Sequence, residues 1–417
     1  MRPTSIQAAP PMHPPMNPTP FPDPPATDAT PMLKRKVVWH ELLPGLVGAA
    51  VGAALVYSAV HLVRALGGIE LNQHFDLNLW TLLLLPAIWL AVVLAHEFGH
   101  LLGGRLGGMR PLMLFAGPLH FTFDADGRTR LQRNRVKQSF NGLAACAPRT
   151  DTGRGAFALM AAGGPLASFV FSALLLPPAF ALGGWWGGLL FATGLLSLLV
   201  GVLTLMPLRA GGFMSDGGQL LGIARDDDET RQRIALSSLM AQSYAGVRPR
   251  DWDPGLFAAA TAEAKEPTLR EYVALLRAGV AEEHGQFDEA DAHWRGVAAR
   301  LGVADAAAIA PAMRGALALS IAAWLAHRRR DPAAARRWLA AAQGGFNDPA
   351  VVAFVEAAIA WREGDAATAR HKLDASRSLM PRMTDRGGAI GMAESIDDIA
   401  RDLDTTRTDA IALAAQA

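Results

Sequence analysis

Between residues 155 and 208 the chain carries no aspartate, glutamate, lysine or arginine. At about 1.5 Å per helical residue, that run is much longer than one crossing of a hydrocarbon layer roughly 30 Å thick. Backbone amides in lipid must be satisfied within their own segment, so the run reads as helix. Gly183-Gly184-Trp185-Trp186-Gly187-Gly188 interrupts it with turn residues and interfacial aromatics. Two spans are therefore expected, near 156–182 and 188–208. Apolar stretches near 42–64 and 77–104 add two more, which gives a mainly α, polytopic bundle of about four membrane helices.

Charge placement orients the bundle. Nine lysines and arginines fall from Arg105 to Arg154, and Lys34-Arg35-Lys36, Arg209 and Arg225 belong with them, whereas residues 65–79 and the 183–188 turn have none. By the positive-inside rule the amino terminus, the 105–154 segment and everything after about residue 209 are cytoplasmic. The expected location is an integral multi-pass membrane protein, in the inner membrane if the source is bacterial, with both termini cytoplasmic. Ahead of the spans, residues 1–31 hold eleven prolines and no periodic apolar pattern. Residues 1–33 are thus expected to be a disordered or polyproline-like tail, and they lack the basic start and apolar core of a cleaved signal.

The chemistry is concentrated in His96-Glu97-Phe98-Gly99-His100. On a helix His96 and His100 are i and i+4, so both imidazoles leave one face and can bind one zinc ion, with Glu97 beside them as a base. Ionisable groups at this depth in a span mark function. Two nitrogens leave zinc short of a catalytic ligand set, which calls for a third donor and an open position for water. His120, Asp124, Asp126, Asp151 and Asp216 are the donors within sequence reach. The single cysteine, Cys146, excludes an intrachain disulfide and a cysteine-rich metal site, and reads as a packing residue. Residues 112–115 and 119–123, joined by Gly117-Pro118, read as a short cytoplasmic β-hairpin, whose open edge could hold an extended substrate or merely cap the bundle.

Three motifs in order then resemble the site-2 protease family of intramembrane zinc metalloproteases: His96-Glu97-Phe98-Gly99-His100, Gly163-Gly164-Pro165-Leu166-Ala167-Ser168 and Asp216-Gly217-Gly218, over about residues 40–225. The resemblance implies one Zn2+ held by His96, His100 and Asp216, Glu97 as catalytic base, and Gly163, Gly164 and Pro165 near the metal on the substrate side. Thr204 stands where the family carries an asparagine, and residues 208–215 make a longer approach to Asp216. The implied activity is hydrolysis of peptide bonds in or near the membrane segments of other proteins. Independently of family, Asp216 follows an inward-running span and a glycine-containing loop, so it can return to the level of His100, and its charge would offset the metal's. Read only as a structural residue, Asp216 would be a helix N-cap, and the Gly-Gly-Pro would serve helix packing.

Residues 34–224 are read as the membrane protease domain and 225–417 as a cytoplasmic helical domain. Breaks at Gly285-Gln286, Arg330-Asp331-Pro332 and Gly364-Asp365, the last two 34 residues apart, resemble tetratricopeptide-type hairpins, whose work would be to bind a protein partner. A net charge of +1 gives no argument for nucleic acid, and none is expected as a partner. Two other functions fit parts of the pattern. A zinc-binding membrane scaffold or regulator without proteolysis would not need Glu97. A metal transporter would need polar groups on several spans, and here they fall on one.

Overall fold

The computed structural model describes residues 19–25, 74–76, 78–123, 128–133, 142–149, 152–210, 213–302, 309, 311–342 and 347–414. Most are helical, with one four-stranded antiparallel sheet and one two-stranded ribbon. Three helices are long and apolar enough to cross a membrane: α2 (Leu85–Leu106), α3 (Arg154–Leu182) and α4 (Gly184–Leu205). They correspond to the spans expected near 77–104, 156–182 and 188–208. The span expected at 42–64 lies outside the described residues. Large apolar side chains stay exposed along these helices, including Phe98, Leu102 and Leu106 on α2 and Leu166, Val170 and Leu174 on α3. In water such stripes would drive association, and in lipid they are the matched surface.

The expected second span is broken near its start. A short helix α1 (Leu79–Leu83) ends at Leu84, and α2 restarts with Pro86 in its first turn, where a missing N–H costs nothing. Helix α2 then continues ten residues beyond His96, so the histidines lie mid-helix and not at its end. At the far end of the bundle a single residue, Gly183, connects α3 to α4, with φ of +57° at both Gly183 and Gly184. Phe75 packs there against Phe191 and Phe180, at centroid distances of 4.7 and 5.3 Å.

Helices α2 and α3 approach through glycine. A β-carbon at Gly99 would lie 2.2 Å from the Gly163 carbonyl oxygen, one at Gly103 2.2 Å from that of Leu159, and one at Gly107 2.7 Å from Ala156 Cβ. Gly99, Gly103 and Gly107 recur every fourth residue and form one stripe, which lets backbone meet backbone as small-residue motifs do in membranes. Without water to exclude, this contact is stabilised by dispersion and close packing.

The sheet lies against the other side of α2. Its order is β3 (Thr129–Arg133), β2 (Leu119–Phe123), β1 (Arg110–Ala116), β4 (Gly142–Ala147), all antiparallel. The expected hairpin is β1 with β2, turning at Gly117 with φ of +50°. It belongs to a small sheet of four strands, in which β3 and β4 add one partner on each side. Leu114 and Ala116 of β1 pack with Val93 and Leu101 of α2, and this apolar contact anchors the sheet.

After α4, a ribbon of β5 (Arg209–Ala210) and β6 (Phe213–Met214) leads into α5 (Asp216–Arg225). The helices that follow are α6 (Asp228–Tyr244), α7 (Pro254–Ala260), α8 (Pro267–Glu283), α9 (Phe287–Leu301), α10 (Pro311–His327), α11 (Pro332–Ala341), α12 (Pro349–Arg362), α13 (Ala366–Leu379) and α14 (Arg386–Ala414). Three pairs, α8/α9, α10/α11 and α12/α13, form hairpins. In each, the residue two before the second helix has positive φ: Gly285 at 72°, Arg330 at 59° and Gly364 at 84°. Asp331 and Asp365 cap their helices through Ala334 N and Thr368 N, at 2.9 and 3.0 Å. Hairpins stack where Arg362 donates to the carbonyls of Ala326 and His327, at 3.3 and 3.0 Å. Trp324, Ile321, Trp338 and Ile359 are fully buried between them, each contributing on the order of 1.5–3 kcal/mol.

The expectation of a disordered 1–33 tail does not hold for residues 19–25, which lie against this helical domain with Phe21 buried in its core. One phenylalanine among prolines suffices to fill a prepared site, whatever the composition around it.

If glycine sets the α2–α3 distance, Gly103→Ala should cost about 1–3 kcal/mol, since the obstructing atoms are backbone. Its thermal midpoint in detergent should fall by several degrees. Gly155→Ala, whose added carbon meets nothing within 4 Å, should leave the midpoint unchanged or raise it.

Candidate metal centre

His96, Glu97 and His100 are all buried on α2. Helix α3, held close by the glycine stripe, supplies a partner for each imidazole. His100 Nδ1 lies 2.8 Å from the Met160 carbonyl oxygen. A carbonyl only accepts, so the proton is assigned to Nδ1, and Nε2 is left with its lone pair. His96 Nδ1 lies 2.9 Å from Ser168 Oγ, which takes the same tautomer at His96 when the hydroxyl accepts. Ser168 is fully buried, and its own carbonyl receives the Ser197 hydroxyl of α4 at 2.9 Å. A chain of contacts thus runs from α4 through α3 to the ring on α2, and outer partners of this kind orient metal-binding histidines.

The two bare nitrogens converge, with His96 Nε2 3.2 Å from His100 Nε2. Asp216 closes the triangle: Oδ2 lies 3.2 Å from His96 Nε2 and Oδ1 3.3 Å from His100 Nε2. Four acceptor atoms, two nitrogens and two oxygens, repel at such spacing unless a cation or proton sits among them. Four-coordinate zinc, with bonds of about 2.0–2.1 Å to nitrogen and oxygen, spaces its donors about 3.3–3.4 Å apart. The buried group His96, His100 and Asp216 can therefore hold a metal ion, and each of these nitrogen–nitrogen and nitrogen–oxygen spacings lies close to that value.

Asp216 reaches this point through its own local structure. It is the first residue of α5, and its neighbour Ser215 is the N-cap, accepting from Gly218 N at 3.2 Å. The N-cap reading of Asp216 is thereby corrected. The Ser215 hydroxyl also donates to the Met206 carbonyl at 2.5 Å and accepts from Leu208 N at 2.9 Å, which cinches the long approach loop. Gly217 fits only as glycine, because a β-carbon would fall 1.7 Å from the Leu205 carbonyl oxygen. The positive end of α5 favours a carboxylate in its first turn.

Of the remaining expected site residues, Gly164 borders the metal group and the others have different surroundings. Gly164 lies under His100, where a β-carbon would come within 2.3 Å of Nε2; Gly163 meets the Gly99 backbone; Pro165 is buried in α3. The two glycines make room for α2, as helix packing requires. The Thr204 hydroxyl donates to Gly201 O in its own helix at 3.3 Å. His120 stays outside the metal group: its ring stacks on Phe115 at 3.9 Å, and burial lowers its pKa. Asp124, Asp126 and Asp151 lie outside the described residues. Glu97 faces the sheet, since a β-carbon at Gly142 would fall 2.1 Å from Glu97 Oε1.

Ser168, Ser215 and Gly142 were missed by sequence reasoning. A buried serine in an uncharged span was a readable signal for Ser168, while Ser215 and Gly142 are defined only by the fold. In comparisons with protein-family models, curated proteins and solved structures, nothing matches this chain.

Removing an outer partner should loosen the metal without removing a ligand. Ser168→Ala and Ser215→Ala should each weaken zinc affinity by about 10–100-fold in competition titration against a chelator. His96→Ala should abolish stoichiometric binding. Wild-type affinity in both serine variants would remove them from the site.

Proposed function

We propose that this chain is an intramembrane zinc metalloprotease of the site-2 protease type. The observation that carries the reading is the convergence of the buried Asp216 carboxylate on the facing nitrogens of His96 and His100, at 3.2 and 3.3 Å, beside helices apolar enough to lie in a membrane. Zinc held there would supply a Lewis acid for a scissile carbonyl and a water acidified to near neutral pH. His96, His100 and Asp216 fix its position, with Met160 and Ser168 holding the rings in the ligating tautomer. Glu97, adjacent to a ligand but rotated about 100° from it on the helix, takes and returns the proton.

Strand β4 supports the substrate side of the reading. It is the last strand on its side of the sheet among the described residues, and it begins at Gly142 against Glu97. An unwound substrate segment added along that edge would run past the base with its backbone hydrogen bonds satisfied. The substrate class is therefore a membrane protein whose helix unwinds locally. Residues 225–417, with three stacked hairpins, support an interaction domain of tetratricopeptide-like build. Contact between residues 19–25 and that domain supports placing both on one side of the membrane, the cytoplasmic side by the positive-inside rule. That contact supports an even number of crossings, as in the four-span reading; the described helices supply three.

Glu97→Gln should keep one zinc per chain and lose hydrolysis by at least about 10²-fold. The assay is the appearance of new amino termini in a library of apolar peptides in detergent. Turnover at the wild-type rate would exclude Glu97 as the base. A wild-type chain that is fully zinc-loaded yet cuts nothing in that library or in its own membrane would favour the scaffold reading.

A further inference from the structure

Residues 19–25, Thr-Pro-Phe-Pro-Asp-Pro-Pro, meet the helical domain through a set of contacts that reads a short extended peptide. Phe21 is buried, with the guanidinium groups of Arg295 and Arg329 over its ring at 5.3 and 5.6 Å. Three peptide carbonyls are taken by side-chain donors. Arg295 donates to Thr19 O at 2.7 Å and to Pro20 O at 2.8 Å, Arg329 donates to Thr19 O at 2.9 Å, and Trp338 Nε1 donates to Pro22 O at 3.0 Å. Arg337 pairs with Asp23 at 2.7 Å.

The receiving surface is held in place by the helical domain itself. Asp291 of α9, itself buried, binds Arg295 at 2.6 Å, Arg329 at 2.9 Å and the Trp324 indole at 3.0 Å. One carboxylate thus fixes both arginines before any peptide arrives. On the other partner, prolines at 20, 22, 24 and 25 restrict the chain to extended conformations and lower the entropy lost on docking. Main-chain carbonyls, one aromatic and one acid are what it recognises, and a segment of any protein can present these.

We propose that the cleft formed by Asp291 and Arg295 of α9, Arg329, and Arg337 and Trp338 of α11 is a peptide-binding site. Its ligand is an extended partner-protein segment carrying phenylalanine between prolines with an acidic residue two positions on. The chain's own residues 19–25 occupy the site in cis, so a partner must displace them. The site is separate from the metal centre and stands whether or not the chain cleaves peptides. A tethered occupant acts at an effective concentration in the millimolar range, so it should weaken a competing peptide by about tenfold or more.

The test uses the full chain in detergent and a fluorescent peptide of residues 18–26, read by anisotropy. Phe21→Ala in the chain should tighten peptide binding by about tenfold or more, and a peptide carrying the same substitution should bind neither chain. A second version carries a protease cleavage site at residue 30 and is cut after folding, which avoids any folding defect of the variant. Labelled peptide should exchange into the cut chain and not into the uncut one. Equal affinity for wild-type and Phe21→Ala chains, or failure of the label to enter the cut chain, would overturn the proposal.

Discussion

The close approach of α2 and α3 is the constraint on which the metal centre depends. Gly99 and Gly103 bring the α2 backbone against Gly163 and Leu159, and only at that distance can α3 place the Met160 carbonyl and Ser168 hydroxyl on the histidine rings. Gly164 serves the same end by leaving room for His100. Packing and chemistry are therefore one requirement here. A helix pair held apart by even one methyl group would leave two imidazoles without a fixed tautomer in an apolar layer, where unsatisfied polar groups are costly.

The third donor depends on a different device. Nine residues lie between Met206 and Asp216, yet the ribbon of β5 and β6 and the three hydrogen bonds of the Ser215 hydroxyl close them into a compact return. Gly217 then seats the start of α5 against the end of α4. The carboxylate is carried by helix geometry at both ends of the loop, which suits a ligand that must hold its place without water to support it.

Much of this was legible in the residues, for definite reasons. His96, Glu97 and His100 show themselves because a four-residue spacing has one meaning on a helix, and the apolar runs because length is counted directly. The stripe of Gly99, Gly103 and Gly107 was equally readable and was passed over. Strand β3, Thr-Arg-Leu-Gln-Arg, and strand β4, Gly-Leu-Ala-Ala-Cys-Ala, were not legible, because β4 carries none of the β-branched or aromatic residues that mark a strand and β3 only Thr129. Their pairing with β1 and β2 makes them strands. Residues 19–25 misled by composition: proline density says that a segment forms no core of its own, and says nothing about whether another domain receives it.

His96, His100 and Asp216 form a buried group that can hold a metal ion, and zinc is the ion proposed for it. X-ray absorption at the zinc edge, on detergent-purified protein loaded with one equivalent, tests it most directly. The account predicts a first shell of four or five nitrogen and oxygen donors at about 2.0–2.1 Å, with the outer scattering of two imidazoles. A first shell of six oxygens without imidazole scattering, or a sulfur donor near 2.3 Å from Cys146, would contradict it.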